Sequence, residues 1–262
     1  MEIPLPKRLT KSLFLLLFIC AGLSAAAQSC VCVKKDLLND FKDTDFIAVV
    51  TITSKEVHEF NPDVDVLEFT VQELFKGKPR KQLLIFQKTG FGKNNDACRL
   101  YLEPGDELLL FANEKANYLY TIPCYRNKKL SIEDAAYQDN LLNDILILRQ
   151  LQPFTSVIES TTTRCNNINA DVKTRDVIED ISLHRADDDQ RMGLYKVKFT
   201  PDNLIDRITV VAPFNEDIDK AVRIALIKRK WQPCELGEKR ELILGYFYNP
   251  KTEYQKAFLS SL

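Results

Sequence analysis

The chain has 262 residues, with 36 lysines and arginines against 37 aspartates and glutamates, and 45% of its residues are hydrophobic. This is the composition of an ordinary globular protein, and the length is sufficient for two domains. Because the charges nearly balance, there is no basic excess of the kind that nucleic-acid binding requires.

The first 29 residues have the pattern of a secretory signal peptide. Three basic residues precede the apolar run SLFLLLFICAGLSAAA, which is shorter than the roughly 20 residues of a membrane-spanning helix. Small residues permit cleavage before Gln28 or before Cys30, and both sites remain open. Two alternatives, an uncleaved membrane anchor and a lipoprotein signal at Cys20 or Cys30, fit this N-terminal sequence less well than a cleaved signal peptide does. We expect an exported protein that is periplasmic, located on the outer surface or secreted, with no membrane span after cleavage.

Six cysteines remain after the signal peptide is removed. An even number in an exported chain favours disulfides over free thiols, and six cysteines allow 15 pairings. They are Cys30, Cys32, Cys98, Cys124, Cys165 and Cys234.

Five short runs of β-branched and apolar residues, separated by turn residues, follow the first two cysteines. Five such strands in this length predict a small closed or partly closed β-barrel. The runs cover residues 45–57, 63–78, 82–88, 106–113 and 117–123.

The periodicity then changes to that of a helix over residues 131–152, where Ser131 and Asp134 resemble a capping box. Pro153 ends this helix, and we predict a linker or an entering strand at 153–164. Packing against the barrel is expected for the apolar positions Leu141, Leu142, Ile145, Leu148 and Leu151.

Residues 165–262 read as a second, α+β domain. The pattern predicts a helix, a strand hairpin, a second helix with Asn215 as its N-cap, and a last strand. These elements cover residues 174–185, 194–200 with 205–213, 215–231 and 240–249.

Motifs for catalysis and metal binding are missing from the sequence. The two histidines, His58 and His184, lie outside any recognisable motif, and neither a C-x-x-C nor a nucleophile or phosphate-binding glycine pattern occurs. The acidic run at 186–191 lacks the spacing of a calcium loop. We therefore predict a protein that is not an enzyme and has no cofactor and no metal of its own.

Residues 30–151 contain, in order, a C-x-C start (CVCV, 30–33), FKDTDFIAVVTI, FTVQELFKGK, a lone cysteine, LEPGDELLLFAN and another lone cysteine before a helix. This order resembles the netrin-like domain family and, within it, the inhibitory domain of tissue inhibitors of metalloproteinases (TIMPs). The resemblance implies a five-stranded OB-like barrel with a C-terminal helix over residues 30–152. It also implies the disulfides Cys30–Cys98 and Cys32–Cys124.

In the inhibitors that this domain resembles, the α-amine and carbonyl of the first cysteine chelate the zinc of the protease, and the next side chain enters the specificity pocket. The resemblance implies that Cys30 chelates the zinc of the protease and that Val31 enters its specificity pocket. Cys30 and Val31, together with Cys32 and Val33, then form the partner-binding segment. This chemistry requires a free amine at Cys30, and therefore cleavage before it. Lys34 stands where the inhibitors often have proline.

The run from residue 194 to 249 has a strand, turn and strand, then a helix ending in KW-P, then a GEK turn before the last strand. It resembles the C-terminal domain of TonB-type envelope proteins over about residues 165–250. The resemblance implies a layout in which an edge strand pairs with a partner's peptide. Since the barrel's pairing leaves Cys165 and Cys234, we expect these two to form a disulfide within residues 165–262.

Together these features predict an exported, disulfide-stapled, non-catalytic protein-interaction protein of the bacterial cell envelope. The alternative is a metalloprotease inhibitor that acts through Cys30. The expected partner is a protein, either an envelope protein or a zinc metalloprotease.

Overall fold

A computed structural model describes most of the chain. The described residues are Cys32, 35–87, 99–160, 190–202, 204–227 and 240–250, together with the backbone of 257–261. The predicted helix at 174–185, the end of the predicted helix at 215–231 and all cysteines other than Cys32 and Cys124 lie outside these residues.

The first half forms a closed, OB-like barrel of five strands with a helical region after it, as predicted. The strands are β1 (Phe46–His58), β2 (Asn61–Lys76), β3 (Gln82–Phe86), β4 (Glu107–Lys115) and β5 (Tyr118–Thr121), and the two-residue β6 (Lys128–Lys129) adds to β4. The strands follow one another around the barrel in the order β1-β2-β3-β5-β4, and β1 pairs with β4 to close it. The β3–β5 pair is parallel and the other pairs are antiparallel.

Residues 46–50 of β1 and 108–112 of β4 are apolar and buried on both faces of the sheet. Successive side chains of a strand point to opposite sides. Ala48, Val50 and Leu110 therefore point into the barrel, where they pack with its other interior residues. Ile47 and Leu109 point outward into a second buried cluster, which also contains residues of the helices and of the second sheet.

Helices cover this outer face of the barrel. They are α1 (Leu37–Asp43), α2 (Ala135–Leu151), a 3-10 turn (Gln152–Phe154) and α3 (Thr155–Glu159). The linker or strand predicted after Pro153 is therefore helical up to Glu159, and Ile158 is fully buried. The short α1, which the sequence pattern did not reveal, begins after Asp36, whose Oδ1 accepts a hydrogen bond from the Asn39 N–H at 2.9 Å.

Helix α2 begins four residues later than predicted. Its N-cap is Asp134, whose carboxylate accepts from the Tyr137 N–H at 2.7 Å, so the proposed capping box at Ser131 is wrong. Of the five apolar positions expected to be buried, Leu142 is 53% exposed, while the other four are buried.

Lys76, at the end of β2, joins the barrel to two of these helices. Its ammonium group donates to the carbonyls of Phe41 (2.8 Å) and Lys42 (3.1 Å), which end α1. It also forms an ion pair with Glu159 of α3 at 3.1 Å. The side chain of Lys76 is 4% exposed, so its charge is compensated by these partners inside the protein.

The second half forms an antiparallel sheet, and a helix packs on one face of it. Its elements are β7 (Met192–Phe199), β8 (Ile205–Ala212), α4 (Glu216–Ile227), β9 (Glu241–Tyr248) and β10 (Ala257–Ser261). The strand order is β10-β9-β7-β8, and β10 has no counterpart among the predicted elements. Asn215 caps α4 as predicted, because its Oδ1 accepts from the Ile218 N–H at 2.8 Å.

The two halves share a hydrophobic core. Leu38 of α1 and Leu148 of α2 belong to the same buried cluster as Leu194 and Phe247 of the second sheet. Oε1 of Gln150 accepts hydrogen bonds from the backbone N–H groups of Arg191 and Met192, both at 3.1 Å. The helices α1–α3 are therefore packed between the barrel and the second sheet.

Candidate functional site

The structure describes one residue of the predicted partner-binding segment, Cys32, and joins it to Cys124. The Cα atoms of the two cysteines are 5.2 Å apart, and 92 residues separate them in the chain. This is the pairing that the netrin-like resemblance implied. The remaining residues of the segment, Cys30, Val31 and Val33, and the predicted pairs Cys30–Cys98 and Cys165–Cys234 lie outside the described residues.

Arg126, two residues after Cys124, holds the chain that follows Cys32. Its Nη2 donates to the carbonyl of Lys35 at 2.6 Å and its Nε donates to Oδ2 of Asp40 at 2.6 Å. Its Nη1 is 3.4 Å from Oδ2 of Asp144 on α2. We call Cys32, Lys35, Asp40, Cys124, Arg126 and Asp144 the N-terminal clamp.

The carboxylates of the clamp are in close contact with cations. Lys128 also donates to Asp144 Oδ2, at 2.7 Å. Burial disfavours the charged guanidinium of Arg126, but Asp144 and Asp40 outweigh this effect and raise its pKa. Desolvation by burial raises the pKa of Asp40 even though Arg126 acts to lower it. Arg126 is thus a permanent cation with fixed partners on three segments of the chain.

Asn127 fixes the loop that carries Cys124 and Arg126 to the barrel. Its Oδ1 accepts from the Phe111 N–H at 2.9 Å, and its Nδ2 donates to Thr121 Oγ1 at 2.8 Å and to the Ile122 carbonyl at 3.2 Å. Thr121 Oγ1 in turn donates to the Phe111 carbonyl at 2.7 Å. The loop therefore has little freedom to move relative to β4 and β5.

Three aromatic side chains form a row that begins at Tyr125, which lies between Cys124 and Arg126 in the chain, and we call Phe86, Tyr120 and Tyr125 the aromatic row. The ring centroids of Tyr120 and Tyr125 are 6.5 Å apart, and those of Phe86 and Tyr120 are 5.8 Å apart in an edge-on arrangement. Tyr125, adjacent to Cys124, accepts a hydrogen bond from Asn113 Nδ2 at 3.0 Å. Burial and the neighbouring Tyr120 raise its pKa to about 12, so its hydroxyl stays protonated at neutral pH.

Apart from Cys32 and Cys124, the residues of the clamp and of the aromatic row were not selected by the sequence analysis. Arg126 and Asn127 stand in the polar run CYRNKK, whose composition is that of a solvated turn. Their partners are as far as 91 residues away in the chain, so no local spacing identifies them. The signal that was present is their position two and three residues after Cys124.

Within the part of the chain that the structure describes, no group of three or more histidine, cysteine, aspartate or glutamate side chains is placed to hold a metal ion. His58 lies at the end of β1, where its Nδ1 accepts from the Phe60 N–H at 3.3 Å. His184 and most of the acidic run 186–191 lie outside the described residues. None of the described helices is long and apolar enough to cross a membrane.

No protein-family model matches this chain, and no curated protein matches it. The likeness to netrin-like, TIMP and TonB-type domains therefore stays a prediction from the motifs.

Proposed function

We propose that the chain is an exported, non-catalytic protein-interaction protein of the bacterial cell envelope, and that the N-terminal clamp with the aromatic row forms its contact surface. The observation that carries the proposal is the fixed position of Cys32 and Lys35 against a loop that also carries Tyr125 of the aromatic row. Cys32 is bound covalently and Lys35 by a charge-assisted hydrogen bond. A segment ordered before binding loses little conformational freedom on association.

The chemistry of the aromatic row suits a protein partner. Tyrosine and phenylalanine supply large, partly apolar contact area and are enriched at the energetic centres of interfaces. Phe86 is 38% exposed, and Tyr120 and Tyr125 are partly buried, so a partner would complete their burial. The netrin-like resemblance supports the same conclusion, since such domains also serve as binding modules.

Site-specific photo-crosslinking in the envelope of a Gram-negative host tests this proposal. A photoreactive residue at Phe86 or Tyr120 should form a discrete covalent adduct with an envelope protein. The same residue at Leu142, which is 53% exposed on α2, serves as the matched control. Equal adduct formation at all three positions, or none at positions 86 and 120, would contradict the proposed surface.

A second function, inhibition of a zinc metalloprotease through Cys30, is favoured by one observation. The Cys32–Cys124 disulfide, which the TIMP resemblance implies, would hold the residue two positions after the proposed chelating cysteine. In this function Val31 would enter the specificity pocket of the protease, and the zinc would belong to the protease.

N-terminal sequencing of the exported protein separates the two functions. A mature start at Gln28 excludes chelation by Cys30, because no α-amine is then present at that residue. If the start is Cys30, the purified protein should inhibit zinc endopeptidases, and one alanine added before Cys30 should abolish inhibition. Inhibition that survives the added alanine would refute this mechanism and leave the interaction proposal unaffected.

A further inference from the structure

Helix α4 carries large aliphatic side chains on the face that is turned away from the second sheet. Its inner face is formed by Ile218, Val222 and Leu226, which are at most 1% exposed and belong to the core beneath the helix. Ile224 and Ile227, in contrast, are 44% and 65% exposed. Packing within the fold therefore accounts for the first three residues and leaves the two isoleucines facing solvent.

The last turn of α4 lies at the end of the sheet where another aliphatic side chain is exposed. Strand β7 pairs antiparallel with both β8 and β9, so β8 and β9 run in the same direction and the helix that connects them runs back. The last turn of α4 is therefore directed to the end where β8 begins, and Leu204, 66% exposed, directly precedes β8. Among the described residues after 190, the exposed large hydrophobic side chains are Leu204, Ile224 and Ile227. They are thus gathered at one end of the second half.

Positive charge accompanies these aliphatic groups. Lys220 and Arg223 are exposed on the outer face of α4, and no carboxylate among the described residues lies within ion-pair distance of either. Asp219, which precedes Arg223 by one turn, is instead 9% exposed, and its Oδ1 accepts hydrogen bonds from Tyr195 Oη at 2.7 Å and from the Phe214 N–H at 3.0 Å. The two cations are therefore accessible to an external anion.

The charge of this part of the chain changes sign at Lys220. Glu216 and Asp217 lie in the first turn of α4, at the opposite end of the helix from Ile227. From Lys220 to Trp231 the sequence is KAVRIALIKRKW, with five basic residues and no acidic residue. The C-terminal half of α4 thus combines cations with exposed aliphatic groups, and further cations follow it in the sequence.

Cations next to exposed aliphatic side chains suit the surface of an anionic phospholipid bilayer. Peripheral helices bind such a surface through apolar side chains, which enter the boundary between headgroups and acyl chains, and through basic residues beside them. Each lysine or arginine near an anionic bilayer strengthens binding about fivefold. Extended peptides bind mainly in grooves or along open sheet edges. Because α4 presents a convex helix face, its geometry favours a lipid surface over an acidic peptide.

We propose that the C-terminal half of α4 docks on a bilayer that contains anionic phospholipid. Ile224 and Ile227, with Leu204 beside them, enter the boundary between headgroups and acyl chains, while Lys220 and Arg223 contact lipid phosphates. None of these residues belongs to the N-terminal clamp or the aromatic row. The proposal therefore does not rest on the function proposed above.

Co-sedimentation of the exported protein with vesicles tests the proposal. The intact mass of the purified protein must first confirm that the signal peptide has been removed, because that apolar run would itself bind lipid. We expect saturable binding to phosphatidylcholine vesicles that contain about one third phosphatidylglycerol, and binding at least about tenfold weaker to pure phosphatidylcholine vesicles. Binding should also weaken as salt is raised, because salt screens the attraction between the cations and the lipid.

A charge-removing variant tests the basic residues. Lys220→Gln/Arg223→Gln should weaken binding to the anionic vesicles about 25-fold, the product of two fivefold effects. The matched control is Lys78→Gln/Lys115→Gln, which removes two exposed lysines of the barrel. Since these lysines lie away from the docking face, their removal should change the affinity less than about twofold.

A second variant tests the aliphatic residues. Ile224→Ser/Ile227→Ser should weaken binding to the same vesicles about tenfold, because less apolar surface leaves water on docking. Leu142→Ser, at a position of α2 that is 53% exposed, is the control and should bind like the parent.

Three results would overturn the proposal. The first is equal binding to vesicles with and without phosphatidylglycerol, or no binding to either. The second is unaltered affinity in both variants of α4. The third is a saturable complex with acetylated hexaglutamate that Lys220→Gln/Arg223→Gln abolishes, in the absence of vesicle binding, which would assign this face to an acidic peptide.

Discussion

Gly245 of β9 lies against Leu38 of α1, at the contact between the helices of the barrel and the second sheet. A Cβ added at residue 245 would be 3.1 Å from Leu38 Cδ2 and 2.4 Å from Cε2 of Phe247. Leu38 and Phe247 are both fully buried. The contact between the two halves is therefore packed as closely as the interior of a domain, which leaves no room for a methyl group.

Gly245→Ala should lower the free energy of unfolding by about 1–3 kcal/mol, because extra volume in a filled core forces side chains and backbone to shift. Since the cluster around Leu38 and Phe247 contains residues of both halves, hydrogen exchange should accelerate in peptides from the helices of the barrel as well as from the second sheet. Urea denaturation and exchange mass spectrometry measure these effects. Thr209→Ala, at an exposed position of β8, is the control and should change stability by less than about 0.5 kcal/mol. Loss of protection confined to the second sheet would contradict a shared core.

The side-chain oxygen of Gln150 should be essential for attaching β7 to α2. Gln150→Met keeps the shape but removes the acceptor of the Arg191 and Met192 N–H groups, which we expect to cost about 1–3 kcal/mol. Gln150→Glu keeps an acceptor and should cost less. Thermal unfolding of the two variants under identical conditions shows which is the more stable. A Gln150→Met protein as stable as Gln150→Glu would contradict the prediction.

The barrel was predictable because each of its strands carries an apolar or β-branched run ended by turn residues. Helix α1 was missed because seven residues make only two turns, too few for a periodicity to emerge. Its signals were the Asp36 cap and the buried Leu37, Leu38 and Phe41, and most of the stability of such a helix comes from tertiary packing. Sequence reasoning also assigned Leu142 to the core, although α2 turns this residue to solvent.

The candidate site was predictable only in part. The Cys32–Cys124 pairing came from family resemblance, because six cysteines permit 15 pairings on residues alone. The roles of Arg126 and Asn127 depend on partners from α1, α2, β4 and β5, which meet only after the barrel has closed. Long-range hydrogen bonds of this kind leave no periodic trace in the sequence.

Removing the Cys32–Cys124 disulfide should destabilise the protein strongly. Closing a loop of 92 residues stabilises the folded state by about 4–5 kcal/mol in the chain-entropy account. The double variant Cys32→Ser/Cys124→Ser should therefore unfold at a much lower urea concentration than the oxidised parent. Peptide mapping without reduction provides the check on pairing. A fragment linking Cys32 to a different cysteine, or an unchanged urea midpoint, would contradict the expectation.

The pKa of Asp40 should lie above its ordinary value and should rise further in Arg126→Gln. Burial raises the pKa of Asp40, while the hydrogen bond and the charge of Arg126 lower it. Among the other charges, Asp36 raises this pKa and Lys35 lowers it. Carboxyl ¹³C shifts followed from acidic to neutral pH measure the change directly. Asp106 is the internal control, since its desolvation is outweighed by Lys129 and the Glu103 N–H, which lower its pKa independently of Arg126.

This shift has a defined consequence for stability. Because the folded protein holds the Asp40 proton to higher pH than the unfolded chain does, the folded state binds more protons between the two pKa values. Stability from this group is therefore highest below the unfolded pKa, falls as pH rises through the window, and stays lower above the folded pKa. In Arg126→Gln this pH window should extend to higher pH, and the total loss of folding stability across it should be larger. In Asp40→Asn the contribution of residue 40 to the pH dependence should disappear. A fall of the same size in the parent and Arg126→Gln would show that Arg126 does not hold the Asp40 carboxylate.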